Sequence, residues 1–190
     1  MAKRKRVLGI VGSPRRGGNT ETLVDEVLRG AEEVGASTEK VILSTLDIAP
    51  CTACEACEDN GVCILTDDME DLLRRMSDSD VWVLGTPVYW WGPSAQFKTF
   101  VDRWYSKVFR DEDKAIFRRR RVVLVVPFGD TEVKTARHVV GMMTDALDYL
   151  EAELQATVLA PGVNDLGEVC GHPEVLAAAR RAGREAVSKP

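Results

Sequence analysis

Four of the five cysteines in this 190-residue chain fall in one short segment, Cys51-Thr-Ala-Cys54-Glu-Ala-Cys57-Glu-Asp-Asn-Gly-Val-Cys63. Four thiolates so close together can serve a single metal centre. Three at three-residue spacing, then a fourth after a Gly-containing turn, suit an iron–sulfur cube better than zinc. Structural zinc sites bring together Cys-x-x-Cys pairs from well-separated places. Ferredoxin-type loops crowd cysteines at this spacing because the cluster presents several irons to one turning stretch of backbone. The spacing also permits a second reading. On a helical turn Cys51, Cys54 and Cys57 share one face, where thiols simply fill a core.

A second stretch with chemistry in it is Gly12-Ser-Pro-Arg-Arg-Gly-Gly-Asn-Thr20, between an apolar run and a helical pattern. Glycines let the backbone curl with its amides inward, and a helix N-terminus adds partial positive charge, so phosphate is the natural ligand. The spacing Gly12-x-x-x-x-Gly17 imitates a nucleoside-triphosphate loop, but Gly-Asn follows where Lys-Ser/Thr is needed. The dinucleotide pattern Gly-x-Gly-x-x-Gly is absent as well. What remains is a cup of Ser13, Arg15, Asn19 and Thr20 suited to a monophosphate, with Asn19 also placed to cap the helix. A third stretch, Pro87-Val-Tyr-Trp-Trp-Gly-Pro93, holds three consecutive aromatics that cannot all be buried. It suits a planar conjugated ligand, a subunit interface, or both with different rings.

The elements that must position these loops alternate between β-branched runs and helical patterns. Strands are expected at Val7 to Val11, Thr38 to Leu43, Val81 to Gly85, Arg121 to Pro127 and Leu154 to Leu159. Helices are expected at Thr20 to Val34, around Met69 to Met76, from Ser94 onward, at Val133 to Leu150 and at Pro173 to Val187. Five such units imply a parallel sheet between helix layers, with ligands bound beyond the carboxyl ends of the strands. That places four loops at the site: Ser13 to Asn19, Leu46 to Cys63, Pro87 to Pro93 and Phe128 to Thr131. The length suits one domain over 1–190, with a cysteine-rich loop at 47–66.

A net charge of −5 argues against a nucleic-acid surface. The basic runs Lys3 to Arg6 and Arg118 to Arg121 each precede an apolar stretch and read as solvated lead-ins to strands. The apolar segment after the first run is too short for a signal peptide, and no other segment could span a bilayer. The expectation is a cytoplasmic protein with no membrane partner, in which cysteines stay reduced and metal ligation is favoured over disulfides.

Together, Gly-Ser-Pro-Arg-x-Gly-Gly-Asn-Thr, the cysteine segment running into Asp67-Asp68-Met69, Thr86-Pro-Val-Tyr-Trp-Trp and Val-Asp-Arg-Trp (101 to 104) resemble the NADPH-dependent FMN reductase family. The likeness is strongest to its iron–sulfur flavoprotein branch, and it is looser after Phe109. The resemblance implies a flavodoxin-like α/β sandwich with strand order 2-1-3-4-5. FMN would be held through its phosphate by Ser13, Arg15, Gly18, Asn19 and Thr20. Pro87, Val88, Tyr89, Trp90, Trp91 and Gly92 would line the isoalloxazine, and Phe128 and Gly129 would close its far edge. Cys51, Cys54, Cys57 and Cys63 would ligate a [4Fe–4S] cluster. The implied activity is an NAD(P)H oxidoreductase in which FMN does the chemistry and no side chain acts as nucleophile or base. NAD(P)H would be a transient co-substrate, and a quinone, flavin, other small molecule or redox protein the acceptor. An electron carrier or redox sensor without turnover is the alternative. A homodimer or homotetramer is expected from the aromatic loop together with Trp104 and Tyr105.

Overall fold

The three central strands are apolar on both faces because helices cover both. The computed structural model describes residues 4–188. Strands β1 (Arg6–Val11), β2 (Ser37–Ile42), β3 (Val81–Gly85), β4 (Arg121–Pro127) and β5 (Glu153–Ala160) pair in parallel in the order β2-β1-β3-β4-β5. This is the flavodoxin-like order that the sequence implies. Helices α1 (Asn19–Glu33), α2 (Met69–Ser77), α3 (Ala95–Asp102), α4 (Asp111–Lys114), α5 (Arg137–Tyr149) and α6 (Pro173–Ser188) complete the fold.

Alternate residues of each strand face opposite layers. Leu8, Ile10, Trp82, Leu84, Leu124 and Val126 pack with α2, α3 and α5. Val7, Val11, Val81, Val83, Val123 and Val125 pack with α1 and α6. Trp82 is fully buried, and its indole N–H donates to the Met76 carbonyl at 3.0 Å, so the large ring leaves no unsatisfied donor.

Helices α1 and α6 cross through two mid-helix glycines. A glycine inside a helix costs about 1 kcal/mol relative to alanine, so its presence needs a reason. A Cβ on Gly30 would stand 1.9 Å from the Arg180 carbonyl oxygen, and one on Gly183 would stand 1.9 Å from that of Val27. The backbones touch, and α6 thereby fixes α1, whose first turn continues the glycine-rich loop that begins at Gly12. Arg180 and Arg184 flank the crossing with ion pairs to Glu26 (2.9 Å) and Glu33 (2.7 Å).

The structure departs from the sequence reading in several places. Residues 133–136 form a separate 3-10 turn before α5. The segment from Arg103 to Lys114 contains a 3-10 turn and the short α4, neither of which the apolar pattern signals. The basic runs are not simply solvated. Arg120 donates to the Ser77 and Ser79 carbonyls at the end of α2 (2.8 and 2.6 Å), and Arg121 to the Ala186 carbonyl at the end of α6 (2.8 Å). Arg4 reaches the Gly35 and Ala36 carbonyls just past α1. These cations satisfy carbonyls that the helix ends leave open. Lys3 lies outside the described residues. No helix among the described residues is long and apolar enough to cross a membrane.

Gly183→Ala should lower stability by roughly 1–3 kcal/mol, the usual cost of forcing a methyl into a packed site. A urea unfolding curve checks this. An unchanged midpoint would mean that α1 and α6 do not approach as closely as described.

Candidate cofactor sites

The loops at the carboxyl ends of the strands are fastened to one another by backbone hydrogen bonds beyond the strands themselves. Gly12 N–H donates to the Gly85 carbonyl (2.7 Å), Thr86 to Val125 (3.1 Å) and Phe128 to Ala160 (3.0 Å). Gly12 has to be glycine, because a Cβ there would lie 2.8 Å from both the Gly85 oxygen and the Phe97 Cβ. The Ser94 hydroxyl donates to the Gly12 carbonyl at 2.5 Å and caps α3 by accepting from Phe97 N–H at 3.2 Å.

Between these loops lies a cavity of about 140 Å³. Ser13, Arg15, Gly18, Asn19 and Thr20 line it, with Pro87, Val88 and Tyr89 from the third loop and Phe128 and Gly129 from the fourth. Pro127, Val163 and Asn164 complete the wall. The sequence reading places none of those three at the site. A signal was present: Gly162, Asn164, Asp165 and Gly167 are turn formers following the fifth strand at the same sheet edge. The hydroxyl-bearing Ser13 and Thr20 are buried at the mouth of α1.

Two of the phosphate-cup residues also serve that unforeseen loop. The Asn19 amide donates to the Asp165 carbonyl (2.9 Å) and its Oδ1 accepts from Val169 N–H (3.1 Å). The helix cap is therefore Gly18, in extended conformation, and not Asn19. The Arg15 guanidinium donates to the Asn164 carbonyl at 2.8 Å. Glu21 takes the Gly17 N–H (2.7 Å) and pairs with Lys40 (2.8 Å). Burial alone would raise the Glu21 pKa, but Lys40, the Gly17 amide and Arg16 outweigh it and hold the carboxyl below its ordinary value.

The aromatic loop is a tight hairpin. Tyr89 and Gly92 exchange both backbone hydrogen bonds, at 2.8 and 3.0 Å. Trp90 and Trp91 form its two-residue tip with φ of 49° and 61°. Such a turn normally takes Asn-Gly, because both central residues must be left-handed. Each tryptophan there costs on the order of 1–3 kcal/mol. Trp90, Trp91 and Gly92 stand outside the cavity wall. Trp90 is 92% exposed, so the strain displays a ring to solvent, with the Trp91 ring 6.2 Å away between centroids.

The cysteine segment contains no regular helix, which removes the reading of three thiols on one helical face filling a core. Ala53 and Glu55 adopt positive φ, and Cys51 and Cys54 reach the surface, while Cys57 is buried and Cys63 half-buried. All four cysteines nonetheless line one small cavity with Ile64, Leu65 and Tyr105. Burial pushes the Cys57 thiol up, and the Cys63, Cys51 and Cys54 sulfurs push it the same way. Four neighbouring thiolates therefore need a positive partner to coexist. Among the described residues no three Cys, His, Asp or Glu side chains converge tightly enough for a single ion. A cube binds each thiolate at a different iron, so its ligands need not meet at one point, and the four-thiol donor set fits it. The enclosed space of about 20 Å³ holds roughly one water.

A buried ion pair anchors this segment. Arg103 donates to both oxygens of Asp67 (2.5 and 3.1 Å) and to the Ala49 carbonyl (2.8 Å). Asp67 also accepts from Ala49 N–H (3.0 Å) and Met69 N–H (3.1 Å). Burial alone would raise the Asp67 pKa, but the Arg103 hydrogen bond, those two amides and the guanidinium charge outweigh it and leave the pKa lowered.

The model of the NADPH-dependent FMN reductase family matches residues 5–164, so the chain belongs to this family of FMN-dependent oxidoreductases. An iron–sulfur flavoprotein of Methanocaldococcus jannaschii is 43% identical over 98 residues, 52% of this chain and 51% of that protein. One of Archaeoglobus fulgidus is 42% identical over 98 residues, 52% of this chain and 44% of its own. The chain spans about half the length of these relatives. A putative NAD(P)H-dependent FMN-containing oxidoreductase of Bacillus subtilis is 25% identical over 176 residues, 90% of this chain and 93% of that one. Among solved structures, the NAD(P)H:quinone oxidoreductase from Methanothermobacter marburgensis superposes with a TM-score of 0.79 at 20% identity, covering 99% of this chain and 98% of that one. This last likeness concerns the fold.

Because the Asp67 pKa is lowered on folding, its contribution to stability is fully present above the unfolded value, about 3.9. It is lost as pH falls through the folded value. Asp67→Asn should therefore be less stable than the wild type at pH 7 and lose less on acidification. Urea midpoints of both proteins at pH 7 and in acid check this. Parallel losses would mean that Asp67 is not charged in the folded protein.

Proposed function

Taking that family membership as the premise, we propose that this chain is an FMN-dependent NAD(P)H oxidoreductase. It passes electrons from a nicotinamide to a small acceptor such as a quinone or flavin, or through a [4Fe–4S] cluster to a redox partner. The observation that carries the reading is the cavity at the point where strand order reverses, between β1 and β3. In this topology FMN sits at that switch point. The similarity to iron–sulfur flavoproteins and to an FMN-containing oxidoreductase supports both halves of the proposal.

The residues fit the cofactor's phosphate end. Ser13 and Thr20 supply buried hydroxyls, the first turn of α1 supplies open amides and partial positive charge, and Arg15 supplies a guanidinium that can exchange the Asn164 carbonyl for a phosphate oxygen. Glu21 occupies the Gly17 amide, so that donor is not available to the ligand. A cavity of about 140 Å³ is below the ~300–1,000 Å³ of a whole ligand pocket. The remainder of the cofactor must extend along the open sheet end, beside Pro87 to Tyr89 and Phe128. When bound, FMN supplies hydride chemistry and a cluster supplies single-electron transfer. The protein's own part is placement and exclusion of water. Residues 4–188 form one sheet and its helices, so NAD(P)H and the acceptor share the flavin's open side in turn. The exposed rings of Tyr89, Trp90 and Trp91 suit a second copy of the chain in a homodimer or homotetramer.

Thr20→Val keeps shape but removes the hydroxyl from the cup. Since hydrogen bonds to charged groups contribute about 1.5–3 kcal/mol, FMN should bind at least tenfold more weakly by fluorescence titration. Riboflavin, which lacks the phosphate, should bind the variant and wild type alike; equal FMN affinities would remove Thr20 from the phosphate site. The activity is tested by adding NADPH or NADH to the flavin-loaded protein without oxygen. Rapid bleaching of the flavin band, and parallel lines in initial-rate plots against a quinone, are expected. A flavin reduced only by dithionite would point instead to a carrier or sensor.

A further inference from the structure

We propose that Arg103 is a positioning residue for a cluster held by Cys51, Cys54, Cys57 and Cys63. In this role it offsets the charge of the loaded loop and offers a hydrogen bond to its sulfurs. The inference rests on the cluster reading above and assigns a role to a residue outside the four ligands.

Three observations carry it. First, Arg103 is 3% exposed, so its guanidinium is held out of solvent at the start of the cysteine loop, on the Ala49 carbonyl. Cys63 and Arg103 also share the wall of a second small cavity behind the loop, with Met69, Leu73 and Lys107. Second, Asp67 occupies the Nη edge of the guanidinium, while the buried Nε has no hydrogen-bond partner. Leaving such a buried donor unpaired is unfavourable, because it has lost water and gained no acceptor. An anionic sulfur on the loaded loop is a fitting acceptor. Third, the turn that begins with Arg103 grips the same loop at two further points. The Tyr105 hydroxyl donates to Glu58 (3.0 Å), and Lys107 Nζ donates to the Gly61 carbonyl (2.7 Å).

The physical need is clear. Four thiolates outweigh the charge of an iron–sulfide core, so a loaded loop is anionic, and a half-buried anion needs a cation or donors close by. One-electron reduction adds a further negative charge. A guanidinium against one ligand, with a free N–H, favours the reduced state and raises the potential. Asp67 limits this by neutralising part of the charge. It also fixes the guanidinium in place, so the donor is oriented before the cluster arrives.

The test is the cluster's midpoint potential, followed by electron paramagnetic resonance in anaerobically reconstituted, flavin-containing protein. Arg103→Gln should retain iron and shift the cluster potential downward while leaving that of the flavin unchanged. Arg103→Lys, which keeps the charge and loses the fork, should fall between Arg103→Gln and wild type. Should Arg103→Gln fail to fold with Asp67 left unpaired, the double variant Asp67→Asn/Arg103→Gln replaces the ion pair by neutral amides. It should show a smaller shift in the same direction. Iron-loaded variants with the wild-type cluster potential would overturn the role of Arg103 and leave the cluster reading standing. Wild-type protein that takes up no iron on reconstitution would overturn both.

Discussion

The Asp67–Arg103 ion pair is the interaction on which the arrangement of this molecule's functional end depends. From Leu46 to Asp68 the chain has neither helix nor strand, and irregular segments that long inside a compact domain are uncommon unless they serve a function. One buried carboxylate ties its two ends together. Asp67 takes the Ala49 and Met69 amides, and Arg103 takes the Ala49 carbonyl along with both carboxylate oxygens. Next to it, Asp47 and Asp68 exchange hydrogen bonds at 2.7 and 2.9 Å. Replacing a buried pair by apolar groups can be neutral, but removing one partner costs about 3–5 kcal/mol because the other charge is stranded. The pair is thus a strong constraint on loop position, whatever its net contribution to stability.

The same economy appears at the phosphate cup, where residues that look like ligands also hold walls. Asn19 uses both ends of its side chain on the loop after β5, and Arg15 uses its guanidinium on the same loop. The cup is consequently formed by first and last β–α loops together, and the glycine-mediated contact of α1 with α6 keeps those two loops in register. At the left-handed Trp90–Trp91 tip two bulky residues hold a costly backbone conformation while Trp90 stays almost fully exposed. Backbone strain that packing does not explain is a mark of function.

Much of this was legible in the sequence, for identifiable reasons. The central strands read correctly because both faces are covered and the apolar runs are nearly unbroken, as in Arg121–Pro127, whereas the edge strand Ser37–Ile42 opens with four polar residues. The stretch from Gly12 to Thr20 was legible as a strand-to-helix junction lining a cavity, because glycine and hydroxyl residues there admit few other uses. The loop containing Asn164 was not legible as a site because its contribution runs through backbone carbonyls, which any residue type supplies. Asn19 was misread as a cap for a related reason: its amide suits a cap or a tertiary contact equally, and only the neighbouring loop decides. The turn from Arg103 onward carries no apolar period, and its role comes from three polar side chains, Arg103, Tyr105 and Lys107, reaching back to a distant loop. The cysteine spacing left cluster and core packing open until the backbone proved non-helical with two thiols at the surface.

The central claim is that one sheet edge carries two redox centres, FMN over the first turn of α1 and a cluster in the cysteine loop. A crystal of anaerobically reconstituted, FMN-soaked protein, measured on both sides of the iron absorption edge, tests it most directly. The account predicts anomalous density bounded by Cys51, Cys54, Cys57 and Cys63, and a phosphate group against Ser13 and Thr20. Iron elsewhere on the molecule, or flavin bound away from the β1–β3 switch point, would contradict it.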